Sequence, residues 1–264
     1  MEINREKIRA EFSSYVSAYD VSDPKIALKI LHTEHVADLC DTISDSLHLG
    51  EEEKNIAWVC GMLHDIGRFE QVRRYGTFFD RKSVNHAAFG ADLLFKEGLI
   101  RQFLEDTSED PLIERTIRLH NVYALPETLS DRERMFCHIL RDADKIDIMR
   151  VNCETPLPEI YNLPEEEFRT SAISDAVFAD AMRGLNVNRE HSKTAADYVV
   201  GHICFVYGLV YPESVRQVSR QGYLRKMLHF ASDNPKTAKR FAEIGASVES
   251  YLAGFQNQNK ESSL

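Results

Sequence analysis

Apolar residues recur every three to four positions along most of this chain, which is the spacing of a helix with one buried face. The clearest case is a stripe formed by Ile56, Val59, Cys60 and Leu63. Strand-like alternation of apolar and polar residues is almost absent. The pattern therefore predicts an all-α fold, and it predicts that the helix with this stripe stops at Gly67 in a left-handed turn.

Signals for helix starts divide the pattern into separate helices. Ser22-Asp23-Pro24 combines a capping residue with a proline in the first turn, and Ser130 forms a capping box with Glu133. A second capping box joins Thr194 to Asp197. We predict helices over residues 1–20 and 24–47, further helices beginning near Glu51, Ser83, Asp110 and Ser130, and a loop rich in charged and aromatic residues over 68–82.

A cluster of prolines marks the strongest candidate boundary inside the chain, at Pro156, Pro158 and Pro164. The chain has 264 residues, which is slightly long for one domain and short for two. We therefore expect a core over residues 1–155 and a C-terminal helical extension, packed on that core, over residues 156–264. The polar tail from about Gln256 is expected to fray.

Composition limits the kinds of partner that the protein can have. Hydrophobic residues make up 43% of the chain and charged residues 28%, which suits a globular protein with a proper core. The formal net charge of -10 argues against general binding of duplex nucleic acid, because such proteins usually present a basic face to the phosphates. A small anionic substrate in a local basic pocket remains compatible with this charge.

The cysteines and the apolar segments predict a cytoplasmic protein that does not span a membrane. The start of the chain is charged and lacks the apolar core of a signal peptide. The longest apolar run, Tyr198 to Tyr211, is too short to cross a bilayer and indicates a buried helix. An odd number of cysteines without a CxxC pair indicates free thiols in a reducing compartment; they are Cys40, Cys60, Cys137, Cys153 and Cys204.

Five predicted helices each carry a histidine or aspartate on the apolar face or at its end. Taken singly, such a residue is more often a core histidine bonded to a backbone carbonyl, or an aspartate that caps a neighbouring helix. Together they need partners, because burying unpaired polar groups costs several kcal/mol each. Imidazoles and carboxylates are ligands of divalent metals, so one shared metal site would satisfy the whole set: His32, His64, Asp65, His86, His120 and Asp144.

The pattern His32…His64-Asp65…Asp144 resembles the signature of the HD superfamily of metal-dependent phosphohydrolases. The segment from His64 to Gly67, His-Asp-Ile-Gly, has the commonest form of that family's central motif. Three local contexts strengthen the resemblance, which covers roughly residues 22–155: His-Thr-Glu-His-Val-Ala from His32, His-Ala-Ala-Phe-Gly from His86, and Ala-Asp-Lys-Ile-Asp from Ala143. The resemblance implies a helical bundle that binds divalent metal.

The family's first metal site corresponds here to His32, His64, Asp65 and Asp144. Members with two metals use two further histidines, which match His86 and His120, and the aspartate matching Asp65 bridges the ions. The resemblance therefore implies two divalent ions in this chain. Iron or manganese is the first expectation, with Mg²⁺, Zn²⁺, Ni²⁺ and Co²⁺ as alternatives, because the set contains no thiolate.

The implied reaction is hydrolysis of a phosphate ester in a small phosphorylated molecule, a nucleotide or phosphomonoester, by metal-activated water. Asp65 and Arg68 are the candidate catalytic residues. Arg68 also leads the candidates for binding substrate phosphate, followed by Arg73, Arg74 and Lys145, since arginine suits bidentate contact with phosphate. A solvated charged loop is the alternative interpretation of these arginines. Asp147 and Arg150 either support the site or form an ordinary surface pair.

Three differences separate the chain from the cyclic-dinucleotide phosphodiesterases of the superfamily. Arg68 stands where that branch has lysine, and Asn121 follows His120 where a second histidine is usual; the GYP signature is also missing. Two other functions stay open on the same scaffold. One is a di-iron oxygenase acting on a polyol or phosphonate, and the other is a non-catalytic domain that senses a ligand.

Overall fold

The structure is a computed structural model that describes the backbone of residues 3–261 and the side chains of residues 3–255. Within these residues every regular element is a helix or a helical turn, so the all-α prediction is confirmed. The chain divides into two compact units, Met1–Asp147 and Ile148–Leu264. Each is described by itself below. The predicted division at residue 155/156, with the extension packed on the core, stays a prediction.

The first unit consists of helices joined mostly by short turns. The helices are α1 (Arg5–Val16), α2 (Pro24–Ser46), α3 (Glu51–Leu63), α4 (Ile66–Tyr75), α5 (His86–Ala91), α6 (Ile100–Phe103), α7 (Asp110–Arg118) and α8 (Asp131–Glu154), of which α8 continues into the second unit. A 3₁₀ turn at Asp80–Lys82 precedes α5, and a π-helical turn at Asp92–Lys96 follows it.

Local capping explains why α2 and α8 begin where the sequence predicts. The Asp23 side chain accepts a hydrogen bond from the backbone N–H of Lys25 at 2.8 Å, and Pro24 occupies the first turn. At the start of α8, the N–H of Ser130 donates to Glu133 at 2.9 Å, and the N–H of Glu133 donates back to the Ser130 hydroxyl at 3.3 Å. This reciprocal pair is the predicted capping box.

The prediction of a loop over residues 68–82 is wrong for its first half, because α4 extends from Ile66 to Tyr75. Phe69 is fully buried on one face of this helix. Glu70, the next residue, is also buried and forms ion pairs with Arg73 and Arg74, one helical turn further on. Gly76, at φ +66°, ends the helix in the left-handed region. The many charges in this segment therefore stabilise a helix instead of indicating a loop.

Gly67 does not stop a helix, which corrects the second expectation for this region. It lies inside α4 without a positive φ, and α3 already ends at Leu63. A Cβ atom at Gly67 would lie 2.7 Å from the backbone N of Gly90 and 2.7 Å from the carbonyl O of His86. Glycine is needed here because α4 and α5 approach each other at backbone distance.

The end of α3 lies deep in the first unit. Trp58 of α3 is fully buried, with the guanidinium groups of Arg5 and Arg9 each 4.9 Å from the centre of its ring. Gly61 lets α3 lie against α2, since a Cβ there would meet the Cα of Ala37 at 2.7 Å. These contacts fix the helix that delivers the central His-Asp pair into the interior.

The second unit is also helical. After the end of α8 it contains α9 (Leu157–Tyr161), α10 (Glu165–Thr170), α11 (Asp175–Met182), α12 (Ala195–Ile203), α13 (Pro212–Gln221), α14 (Tyr223–Leu228) and α15 (Pro235–Glu261). The capping box of Thr194 and Asp197 at the start of α12 is confirmed.

One sequence expectation for the second unit differs from the structure. The apolar run expected to be one helix is interrupted, because α12 ends at Ile203 and the 3₁₀ turn Cys204–Gly208 follows. The backbone of the tail from about Gln256 continues α15 as far as Glu261, and the last three residues lie outside the described part of the chain; fraying of this tail stays a prediction. Among the described residues, no helix is long and apolar enough to span a membrane.

Candidate metal centre

The structure brings all six predicted ligands together in the first unit. They come from the middle of α2 (His32), the turn after α3 (His64 and Asp65), the first residue of α5 (His86), the turn after α7 (His120) and the third quarter of α8 (Asp144). The four imidazoles and Asp65 are almost completely buried. The Nε2 atoms of His32 and His64 lie 3.4 Å apart, and those of His86 and His120 lie 2.9 Å apart.

Asp65 lies between two groups of ligands and offers one carboxylate oxygen to each. Its Oδ2 lies 3.5 Å from Nε2 of His64 and 3.7 Å from Nε2 of His32. Its Oδ1 lies 3.5 Å from Nε2 of His86 and 3.9 Å from Nε2 of His120. Asp144 belongs to the first group, with Oδ1 3.1 Å from Nε2 of His32. The arrangement is thus a double cluster that shares one carboxylate.

Hydrogen bonds on the far side of each ring decide which imidazole nitrogen carries the proton. In all four histidines Nδ1 lies 2.7 Å from an oxygen acceptor: His32 to Asp147 Oδ2, His64 to Gly61 O, His86 to Asp80 Oδ2 and His120 to Ile117 O. A backbone carbonyl only accepts, and so does an ionised carboxylate. In the neutral rings the proton therefore sits on Nδ1, and each Nε2 presents a lone pair to the centre of the cluster.

Lone pairs that face each other across 2.9 Å repel unless a cation lies between or beside them. His86 and His120 face each other in this way through their Nε2 atoms, and the nearby Oδ1 of Asp65 is buried without a hydrogen-bond partner. Two sets of three ligand atoms lie close enough to share one ion, namely His32, His64 and Asp144, and His64, Asp65 and His120. The residues present therefore fit divalent cations, both in chemistry and in spacing.

The pKa values of His86, His120 and Asp65 agree with that fit. Burial lowers the pKa of His86 to about 3 and that of His120 to about 4, so both rings are neutral near pH 7. The pKa of His32 is raised: burial opposes the charged form, but hydrogen bonds to Asp144 and Asp147 outweigh it. Burial alone would raise the pKa of Asp65, yet the surrounding positive charges, led by Lys29, hold it well below its usual range.

Three residues of the centre were missed or left open by the sequence analysis. The Nζ atom of Lys29 lies 2.5 Å from Oδ2 of Asp65. Asp80 holds Nδ1 of His86, and Asp147 holds Nδ1 of His32. The position of Lys29 on α2, one turn before His32, is a signal that could have been used.

No sequence signal pointed to Asp80. It lies in a 3₁₀ turn, and the helical pattern does not predict where the side chains of such a turn lie. Of the pair left open on α8, the buried Asp147 supports the site through its hydrogen bond to His32. Arg150 lies in the second unit and pairs with Glu154 at 2.9 Å.

The four predicted substrate-binding residues occupy different environments. Arg68 borders the centre, with Nη1 2.9 Å from Asp80 Oδ1 and 2.6 Å from the carbonyl O of Phe78, and with Nε 3.5 Å from Asp65 Oδ1. The side chains of Arg73 and Arg74 are 58% and 50% exposed and pair with Glu70. Lys145 follows Asp144 in the sequence and its side chain is buried, which lowers its pKa to about 8. A role in substrate binding stays a prediction for all four.

Replacing Asp147 by alanine is expected to weaken metal binding by about 10- to 100-fold, because Nδ1 of His32 loses the acceptor that fixes its tautomer and orientation. The measurement is a competition titration against a chromophoric chelator. Asp38→Ala serves as the control, since Asp38 lies on the surface of α2 and pairs only weakly with Arg9, at 3.8 Å. Unchanged affinity in the Asp147 variant would contradict this role.

Comparison with known proteins agrees with this geometry. The family described as the HD domain matches residues 30–149, a segment that contains all six clustered side chains. No curated protein and no solved structure matches the chain. The resemblance drawn from the sequence motifs is therefore confirmed for the matched segment: residues 30–149 form an HD domain of the type found in metal-dependent phosphohydrolases.

Proposed function

We propose that this protein hydrolyses a phosphate ester in a small phosphorylated molecule, a nucleotide or a phosphomonoester, with two divalent metal ions. One observation carries the proposal above all others. Four imidazoles place Nε2 3.5–3.9 Å from the two oxygens of a single buried carboxylate, and in each ring Nδ1 lies 2.7 Å from an oxygen acceptor. Cations would satisfy these buried groups. The groups form two sets, one around each oxygen of Asp65, so each set could hold one ion.

The residues that would hold each ion follow from the two groups of distances. One ion would take His32, His64, Asp144 and Oδ2 of Asp65, and the other would take His86, His120 and Oδ1 of Asp65. Iron or manganese is the first expectation for a set of imidazoles and carboxylates. When bound, such ions supply water activation near neutral pH and polarise a phosphoryl oxygen.

The charge of the protein groups at the centre favours a dianionic substrate. The side chains within ion-pair distance of the clustered histidines or of Asp65 include four carboxylates (Asp65, Asp80, Asp144 and Asp147) and two cations (Lys29 and Arg68), which leaves a charge of minus two when the histidines are neutral. One divalent ion would bring this sum to zero, and two would bring it to plus two. A phosphomonoester dianion then balances the site with two ions bound.

Lys29 and Arg68 are the candidates for orienting the substrate phosphate. They contact opposite oxygens of Asp65, and both cations lie near the half-buried ring of Phe78, at 5.7 and 5.6 Å from its centre. If a cation neutralised the Asp65 carboxylate, the Nζ group of Lys29 would be available to donate a hydrogen bond to a phosphate oxygen. Asp65 and Arg68 remain the candidate catalytic residues, with Arg68 held in position by Asp80.

Replacing Lys29 by methionine is expected to raise KM for a phosphorylated substrate by about 10- to 100-fold, with a smaller effect on kcat, because a charge-assisted hydrogen bond contributes about 1.5–3 kcal/mol. Steady-state kinetics on protein with its metal content checked would measure this. Lys25→Met is the matched control, as Lys25 lies one turn earlier on α2 and its exposed Nζ reaches only the carbonyl of Gly76 at 3.5 Å. Equal KM values in both variants would exclude Lys29 from substrate binding.

The experiment that tests the proposed function is an anaerobic assay of protein supplied with Mn²⁺ or Fe²⁺ against a panel of nucleotides, sugar phosphates and other phosphomonoesters. Release of inorganic phosphate that requires the metal is the expected result. Oxygen uptake with a polyol or phosphonate, without anaerobic phosphate release, would favour a di-iron oxygenase instead. Metal binding without turnover of any compound would favour a ligand-sensing domain.

A further inference from the structure

Arg141 holds the segment that follows α7 by its backbone carbonyls. Its Nη1 donates to the carbonyl oxygens of Leu119 at 3.1 Å, His120 at 3.1 Å and Val122 at 2.6 Å, and its Nη2 donates to that of Tyr123 at 3.3 Å. The Arg141 side chain is almost completely buried. A single guanidinium therefore binds four of the five backbone carbonyls of residues 119–123, a segment without regular helix.

This segment carries one of the six clustered histidines. α7 ends at Arg118, so His120 has no helix of its own to fix its backbone. Its ring is oriented by the hydrogen bond from Nδ1 to the carbonyl of Ile117, in the last turn of α7. The backbone N–H groups of Leu119 and His120 bond back to α7, and Arg141 binds the carbonyls of the segment that continues beyond it.

Arg141 lies on α8, one helical turn before Asp144. The two side chains share a helix face, because residues three apart in a helix are neighbours. The guanidinium thus ties the backbone of His120, in the group with His86, to the helix that carries Asp144, in the group with His32. Both groups of the centre are set relative to one rigid element.

We propose that Arg141 is a positioning residue for the second half of the metal centre: it fixes the backbone of residues 119–123 so that Nε2 of His120 points at its partners. The inference rests on the proposed function where it concerns metal, but the orientation of His120 is a property of the protein itself. Arginine is required because its planar fork presents several N–H donors in fixed directions, whereas lysine offers a compact ammonium group with a different reach.

A matched control lies on the same helix. Arg134, seven residues earlier on α8, also donates to carbonyls of the segment between α7 and α8, at Pro126 (3.1 Å) and Glu127 (3.2 Å). These contacts are at the surface and away from His120. Arg134→Met therefore removes the same kind of anchor from the same connection without touching the centre.

The test compares Arg141→Met, Arg141→Lys and Arg134→Met in the full chain, with Mn²⁺ as the probe in chelator competition. We expect both Arg141 variants to bind the second ion about 10- to 100-fold more weakly and the first ion with unchanged affinity, with the lysine variant the less affected. Arg134→Met should bind both ions as the wild type does. Circular dichroism checks that each variant folds. If Arg141→Met does not fold, the comparison is made between Arg141→Lys and Arg134→Met.

Two results would overturn the proposal. One is a folded Arg141 variant that binds both ions with wild-type affinity, and the other is an equal loss of both ions, which would indicate a general structural role.

A second readout separates this proposal from the proposed function, because it needs no metal. The Nδ1 proton of His120 should give a downfield NMR signal, assigned by its loss in His120→Gln, since it donates to a carbonyl in a buried site. We expect the signal to persist in Arg134→Met and to disappear or shift in Arg141→Met. If the wild type binds neither Mn²⁺ nor Fe²⁺, the proposed function fails, and this signal still decides the role of Arg141: an unchanged signal in both variants would refute it.

Discussion

Replacing Asp65 by asparagine is expected to lower kcat/KM by at least about 10³-fold and to reduce the bound metal, because this one residue serves both halves of the centre. Its two oxygens face different pairs of histidines, at 3.5–3.9 Å. An asparagine of the same size offers one oxygen and a donor group that repels a cation. The substitution also leaves Lys29 and Arg68 beside a neutral side chain.

The measurements for this variant are steady-state kinetics and metal content by elemental analysis. Asp180→Asn is a suitable control, because Asp180 forms a His-Asp pair of its own in the second unit, with Nδ1 of His191 2.7 Å from Oδ2. That pair lies outside the six-residue cluster, so the control should keep its metal and its activity. Retention of both properties by Asp65→Asn would contradict the assignment of Asp65 as the shared ligand.

Gly67→Ala is expected to destabilise the fold by about 1–3 kcal/mol and to impair the half of the centre that contains His86. The new Cβ would lie 2.7 Å from the N of Gly90, 2.7 Å from the carbonyl O of His86 and 2.8 Å from the Cα of Gly90. These are backbone atoms, which cannot rotate out of the way. α4 and α5 must therefore separate, and His86, the first residue of α5, moves with its carbonyl.

Chemical denaturation and metal stoichiometry would measure the two effects of Gly67→Ala. Gly201→Ala in α12 is the control, since a Cβ there meets no atom within 4 Å and the backbone φ is not positive. That substitution is expected to be neutral or to stabilise the protein by about 0.5–1 kcal/mol, as alanine is the better helix former. A Gly67 variant with wild-type stability and full metal content would show that the close approach of α4 and α5 does not matter.

The helical period predicted the fold and placed the six clustered side chains on buried helix faces or at helix ends, because both depend on burial along regular helices. His32 and Asp144 lie on buried helix faces, and the caps at Asp23 and Ser130 fixed the starts of their helices. The periodic pattern could not describe contacts made by turns. Asp80 therefore escaped notice, although it orients His86 from a 3₁₀ turn.

The two wrong predictions around the central motif have separate physical causes. Gly67 occurs directly after the His-Asp pair, a position where glycine often ends a helix, yet its small size is used here for contact between α4 and α5. The charges of Glu70, Arg73 and Arg74 suggested a solvated loop, but they pair along a helix. A single sequence does not reveal whether a glycine serves a turn or a close approach, because that depends on a tertiary neighbour such as Gly90.

The measurement that tests the metal centre most directly is anomalous X-ray scattering from crystals of the protein prepared with Mn²⁺, recorded near the absorption edge of the metal. Two anomalous peaks are expected, one at the Nε2 atoms of His32 and His64 and the other at those of His86 and His120, with the Asp65 carboxylate between them. The absence of a peak among these side chains, with the Nε2 atoms joined by protons or water instead, would contradict the account.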